Sequence, residues 1–234
     1  MLTERRQFIA FGNFAEISIA NISPLNEVVK TYNLSVMALP DVIEPSITAN
    51  GIQQFTIPAQ PVGLRPAFQS EDKQTTIFLG TSKVYIEQVD KSVDSFPDFI
   101  KMSVNLITDI INRYSVTINR VAINGQLSGY AQEARDKLYV KFFNKTALYG
   151  DVSDEWQFRI NTKVNVEELN CEINKIVSFN RGEFIINNRI VPDMLFSVYD
   201  FNTKRGIDKL FNLEDINKFI ELGNVFRETI VNFV

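Results

Sequence analysis

Carboxylates are the residues of this chain that could carry chemistry, because it holds no histidine and a single cysteine, Cys171. Without histidine there is no Ser-His-Asp or Cys-His nucleophile, no His-containing zinc site and no two-His-one-carboxylate iron site. One cysteine excludes an internal disulfide and any cluster held by thiolates of one chain. The sharpest spacing left is Pro40-Asp41 followed by Glu71-Asp72-Lys73. A restriction-type nuclease uses such an order to hold Mg²⁺ with two carboxylates and to polarise water with a lysine. That mechanism needs the Glu and Lys on a buried strand beside the Asp. Ser70 to Gln74 is uniformly polar and reads as a turn instead, and the Pro-Asp pair recurs at Pro97-Asp98 and Pro192-Asp193.

The other candidates are weaker. Glu167-Glu168 and Asp154-Glu155 fall at expected turns, and neighbours on a strand point to opposite sides. A glycosidase would need two carboxylates facing each other across a cleft. Neither glycine-rich phosphate loop, GxGxxG or GxxxxGK[ST], occurs. Cys171 lies in an alternating stretch and has no histidine to activate it, so it reads as a structural thiol. Trp156 reads first as a core anchor and second as a ligand platform. No catalytic residue, no metal ligand and no cofactor is assigned from the sequence.

Composition narrows the partners. The net charge is −4, and the closest basic pairs are Arg5-Arg6 and Lys204-Arg205. A nucleic-acid binder usually carries a basic stripe, because neutralising phosphates supplies most of its affinity; this chain argues against that partner. Hydrophobic residues make up 45% of the sequence, with 19 Phe, enough for a folded core. The apolar run Phe8 to Phe11 is too short for a signal peptide, and no run approaches a membrane span. The expectation is a cytoplasmic protein that does not enter a membrane.

Periodicity supplies the elements that would position any site. Phe14 to Ile22 alternates like a half-buried strand, and Ser23-Pro24 opens a short helical period. Pro40 to Pro66 is rich in proline and reads as loops around one or two strands, the better being Gln53 to Pro58. Thr75 to Leu79, Gly80-Thr81-Ser82 and Lys83 to Val89 form a hairpin. Ser95 with Asp98 predicts a capped helix with Phe96, Phe99, Ile100, Val104, Ile107, Ile111 and Tyr114 as its stripe. Val116 to Leu127 is a strand, and so is the stretch from Trp156. Leu169 to Phe179 and Phe184 to Val191 flank an expected turn at Asn180-Arg181-Gly182, and Met194 to Asn202 is a further strand. Asn212 caps a last helix striped by Ile216, Phe219, Ile220, Gly223, Phe226, Ile230 and Phe233. Each half therefore reads as antiparallel strands followed by one long amphipathic helix. The fold class expected is α+β with two antiparallel β-sheet units, each carrying a helix on one face, over residues 1–130 and 131–234, or these joined as one continuous domain.

Several segments carry a resemblance. Arg65-Pro66-Ala67-Phe68-Gln69-Ser70-Glu71-Asp72, then Ile77-Phe78-Leu79-Gly80, the helix opening at Phe96-Pro97 and the strand Asn119-Arg120-Val121-Ala122-Ile123-Asn124 follow one another in order. So do Pro24 to Val29, Tyr199-Asp200-Phe201 and Phe226 to Ile230. Together they resemble a family of uncharacterised, sporadically distributed bacterial proteins of about this length, across residues 24–232. The chain departs from that pattern at Ala122-Ile123, where the family carries Arg-Tyr. The resemblance implies accessory roles, mobile-element or defence-associated, and brings no established activity with it. It makes Arg65, Phe68, Arg120 and Asn124 candidate binding residues, beside Trp156.

The function expected is a non-enzymatic protein- or peptide-binding module, with a toxin-neutralising role as one form. Partners would dock by adding a strand to a sheet edge or by filling an apolar groove, and a homodimer would form through an open edge or the C-terminal helix. Two other classes stay open: a Mg²⁺-dependent carboxylate enzyme such as a nuclease, and a nucleic-acid sensor.

Overall fold

The computed structural model describes residues 2–42, 61–143, 155–186, 189–206 and 208–233. The Gln53 to Pro58 strand expected from the sequence lies outside these. Within them the chain forms strands β1 (Thr3–Asn13), β2 (Leu34–Val42), β3 (Pro61–Ser70), β4 (Thr75–Leu79), β5 (Lys83–Ser92), β6 (Thr117–Ser128), β7 (Trp156–Val166), β8 (Cys171–Ile186) and β9 (Arg189–Thr203). Helices are α1 (Ser23–Lys30), α2 (Phe96–Arg113), α3 (Gln132–Phe143) and α4 (Leu213–Val231).

All nine strands belong to one sheet, in the order β2-β3-β4-β5-β1-β6-β9-β8-β7. Every neighbouring pair is antiparallel. This corrects the two-sheet expectation: α+β holds, but β6 of the first half pairs with β9 of the second, and one hydrophobic core runs beneath both. The central place in the order is taken by β1, between β5 and β6. It escaped the sequence reading because its inward positions are Glu4, Arg6, Phe8 and Ala10, all buried. Two of the four are charged, so the alternation of apolar residues that marks a strand is broken there.

Phe8 lies between Ile86 of β5 and Ile123 of β6, all three fully buried. The helices cover this side. α2 buries Phe96, Phe99, Met102, Leu106, Ile107 and Ile110, a stripe rotated from the expected one, with Ile100, Val104 and Ile111 at its margins. Pro97 suits the first turn, where its missing N–H costs nothing. Ser95 does not cap it: its hydroxyl donates to the Ser92 carbonyl and accepts from Arg6. α4 starts as expected, with Asn212 and Asp215 in a reciprocal capping box. Gly223 lets it approach the sheet, because a Cβ there would meet Ile123 Cδ1 at 2.7 Å.

Three more expectations change. Phe14 to Ile22 forms turns, not a strand. Asn180-Arg181-Gly182 lies inside β8, whose ladder with β9 is irregular between Gly182 and Phe184. α3 has no counterpart in the sequence pattern; it lacks a clean apolar stripe and buries only Leu138 and Tyr139.

Candidate functional site

The sheet has a covered face and an open one, and charge is arranged differently on each. On the covered face Glu4 is the hub of a buried cluster. Its Oε1 accepts from Arg227 Nε at 2.8 Å and from the Tyr199 hydroxyl at 2.7 Å. Its Oε2 accepts from Arg227 Nη2 at 2.7 Å and from Arg6 Nη1 at 3.5 Å. Arg6 also donates to Gln88 Oε1 at 2.6 Å and to the Ser95 carbonyl at 3.0 Å, and Arg227 to the Val93 carbonyl at 2.8 Å. The Arg227 guanidinium stacks 4.0 Å over the Phe96 ring. Burial pulls the Arg227 pKa down, and the hydrogen bonds and charge of Glu4 more than offset it. Burial, joined by Glu4, drives the Tyr199 hydroxyl well above its ordinary range. Gly125 makes room for this: a Cβ there would lie 2.6 Å from the Tyr199 ring.

A second network pins α3 to the sheet. Arg181 donates to Asp193 Oδ1 at 2.6 Å and to Asp136 Oδ1 at 2.8 Å, and Arg135 binds the carboxylate and carbonyl of Asp193. Beside it Phe142 stacks on Phe158 at 4.0 Å, and Trp156 packs against Tyr139, Phe142 and Phe143.

The open face is half-buried and polar. Gln7 pairs across β1 and β6 with Asn124, and Asn124 across β9 with Asp200. Arg5, Gln7, Asn124, Gln126, Val198 and Asp200 line a shallow recess of about 320 Å³. Burial raises the Asp200 pKa, while Asn202 and Arg120 pull it back in part. No second carboxylate lines this recess. Nearby, Phe11 pairs with Arg120, whose guanidinium lies 4.5 Å over the ring.

The structure thus brings Arg120 and Asn124 together on the open face of β6 and separates the other three candidates. Arg65 is half-buried and donates to the carbonyls of Phe14, Leu79 and Gly80, fixing the β1 exit to the β4–β5 turn. Phe68 is fully buried in the core. Trp156 is in the α3 aromatic cluster, with its indole Nε1 buried and unbonded. Asp41 accepts from the Thr81 hydroxyl at 2.7 Å, whereas Glu71 is exposed in the β3–β4 turn. The two lie at opposite ends of the β2–β3 ladder, separated by roughly 25 Å at the usual rise per strand residue. Among the described residues no three His, Cys, Asp or Glu side chains converge as a metal site, and no helix is long and apolar enough to cross a membrane. The Cys171 thiol is buried, and burial raises its pKa.

The two sheet edges also differ. β2 carries Pro40 and turns Asp41 inward to burial, two devices that blunt an edge. β7 pairs with β8 along its whole length, from Trp156↔Arg181 to Val166↔Cys171, with no bulge and no proline. Among the described residues nothing pairs with its outer side. Its side chains are mostly exposed, including Ile160, Arg159 and Lys163.

No family model matches the chain, and no curated protein sequence matches it. Among solved structures the chain is similar to a rolling circle replication initiator protein from Geobacillus stearothermophilus, with a TM-score of 0.31 and 10% identity, covering 88% of this chain and 76% of that one. A likeness that distant transfers no function.

Proposed function

We propose that this protein is a non-enzymatic binding module that captures an extended segment of a partner protein along β7, adding it to the sheet as a further strand. The observation that carries this reading is the eleven-residue β7 edge, regular, free of proline and unpaired on its outer side among the described residues. Such an edge offers a row of N–H and C=O groups that a second strand satisfies. On the open-face side β7 presents Arg159 and Lys163, four residues apart and without a carboxylate partner among the described residues. A captured strand with acidic residues at the same spacing would neutralise both. A second copy docked antiparallel about Asn161 would instead set Arg159 against Lys163, a like-charge pairing that is disfavoured. The arrangement of the buried carboxylates supports a non-enzymatic role: both oxygens of Glu4 are taken by donors within the fold, and Asp41 accepts from the backbone N–H and the hydroxyl of Thr81. The bacterial accessory setting rests on the motif resemblance alone.

The test is hydrogen–deuterium exchange of β7 with a synthetic peptide of about eight residues alternating Val and Thr, with Glu at two positions four apart. Protection confined to β7, lost in Arg159→Glu/Lys163→Glu, is expected. Unchanged β7 exchange with every such peptide would rule the reading out.

A further inference from the structure

We propose that the recess between the start of β6 and the end of β9 is a binding site for an oxyanion, a phosphoryl or carboxylate group, held by Arg120 and Arg205. The recess has a volume of about 310 Å³ and is lined by Phe11, Asn119, Arg120, Arg205 and Gly206. The sheet register builds it. Phe11 stands opposite Arg120, and Ala122 stands opposite Asn202, so the chain leaving β9 carries Arg205 past Arg120. Gly206 turns it there with φ +74°, a conformation most side chains resist.

Three observations point to an anionic occupant. Arg120 is half-buried, and only its Nε is engaged, on the Thr203 carbonyl at 3.3 Å. Among the described residues its two Nη groups have no partner, and neither Arg120 nor Arg205 has a carboxylate within ion-pairing distance. Elsewhere among the described residues Arg6 and Arg227 are matched by Glu4 and Arg181 by Asp193 and Asp136, while half-buried Arg65 spends both its Nε and its Nη2 on carbonyls. Second, the Arg120 guanidinium lies 4.5 Å over the Phe11 ring with its Nε engaged, which leaves its two Nη groups as a two-pronged donor. Third, burial first and the Arg205 charge second weaken the hold of Arg120 on its proton, and the Asp200 charge offsets this only in part. An anion between the two guanidiniums relieves both penalties, and Asn119 adds an amide at the rim. The site is separate from β7, so it stands or falls independently of strand capture.

The experiment is calorimetric titration of the intact protein with inorganic phosphate, and in a parallel arm with succinate. Saturable binding of at least one is expected, weakened tenfold or more in Arg205→Ala. That residue sits on an exposed turn, so the variant folds whatever its effect on binding. Arg120→Lys, which keeps the charge and loses the fork, should also weaken binding, and Lys30→Ala on the distant α1 should leave it unchanged. Tighter binding in the phosphate arm assigns a phosphoryl ligand, and tighter binding in the succinate arm a carboxylate. Absence of saturable binding in both arms, or equal binding by Arg205→Ala and Lys30→Ala, would overturn the proposal.

Discussion

The covered face and the open face of the sheet each place arginines beside phenylalanine rings, and they treat the charge in opposite ways. Under the helices, Arg6 and Arg227 share Glu4, and further bonds run from Arg6 to Gln88 and Ser95 and from Arg227 to the Val93 carbonyl. On the open face, Arg120 rests on Phe11 with only its Nε satisfied and a second arginine for company. A cluster whose carboxylate is saturated is architecture: both Glu4 oxygens are engaged within the fold, and the arginines that engage them are buried. An unsaturated one is tolerated only at a surface that water reaches, and it is there that a ligand gains by arriving.

The largest expected effect breaks the saturated side. Glu4→Ala leaves two buried guanidiniums without their carboxylate and should cost about 3–5 kcal/mol in denaturant unfolding. The double variant Glu4→Met/Arg227→Met removes one guanidinium together with its carboxylate and should recover part of that loss, because Arg6 stays buried without its counter-charge; a double variant as unstable as the single would show that the cluster acts through something other than charge balance. Next comes ordinary packing on the same face. Phe99→Ala should cost about 3–5 kcal/mol, while Lys101→Ala on the exposed side of α2 should be nearly neutral. On the open face the effects on stability should be small and those on binding large. Arg205→Ala should change unfolding by no more than about 0.5 kcal/mol while weakening the phosphate or succinate response tenfold or more.

Asp200 gives the finest contrast. Its folded pKa is raised, so the folded state holds more protons than the unfolded state between the ordinary carboxylate range and the raised value. Stability from this group therefore falls as pH rises through that window. Asp200→Asn should stabilise the protein slightly at pH 7, with the gain vanishing below the ordinary carboxylate range. It should also tighten oxyanion binding, because Asp200 is the carboxylate that partly offsets the Arg120 charge. A pH-independent difference, or weaker anion binding, would show that Asp200 does not act on Arg120 through charge.

The sequence reading succeeded where one physical signal dominated. The β4–β5 hairpin, β6 and the Asn212 cap of α4 were legible because alternation, turn residues and capping each point one way. It failed where tertiary partners override the local pattern. Glu4 and Arg6 are polar letters at buried positions, and only Arg227, far along the chain, makes their burial tolerable. Arg181 resembled a turn residue for the same reason: Asp136 and Asp193 that neutralise it within β8 come from other elements. α3 has little amphipathic signal because ion pairs and one aromatic cluster hold it, not a stripe. The candidate residues show the same divide. Arg120 and Asn124, candidates from the motif resemblance, lie on one face of one strand, where a period of two places residues four apart. The arrival of Arg205 at Arg120 depends on the β6–β9 register, which no local pattern encodes.

The placing of β1 has a kinetic consequence. It is the first strand in sequence, yet its neighbours β5 and β6 follow it by some eighty to one hundred and twenty positions in the registers Phe8↔Ile86 and Thr3↔Ser128. Glu4 meets Arg227 across 223 positions. Contacts this distant in sequence are slow to form, because the intervening chain must be ordered before they reward it. As the protein is synthesised, β1 emerges with two charged side chains on the face it must bury and waits for its flanking strands, and then for α4, before they can be sealed. Until that last helix docks, Glu4 lacks its Arg227 partner, and the centre of the sheet stays open to solvent and to a chaperone or a protease.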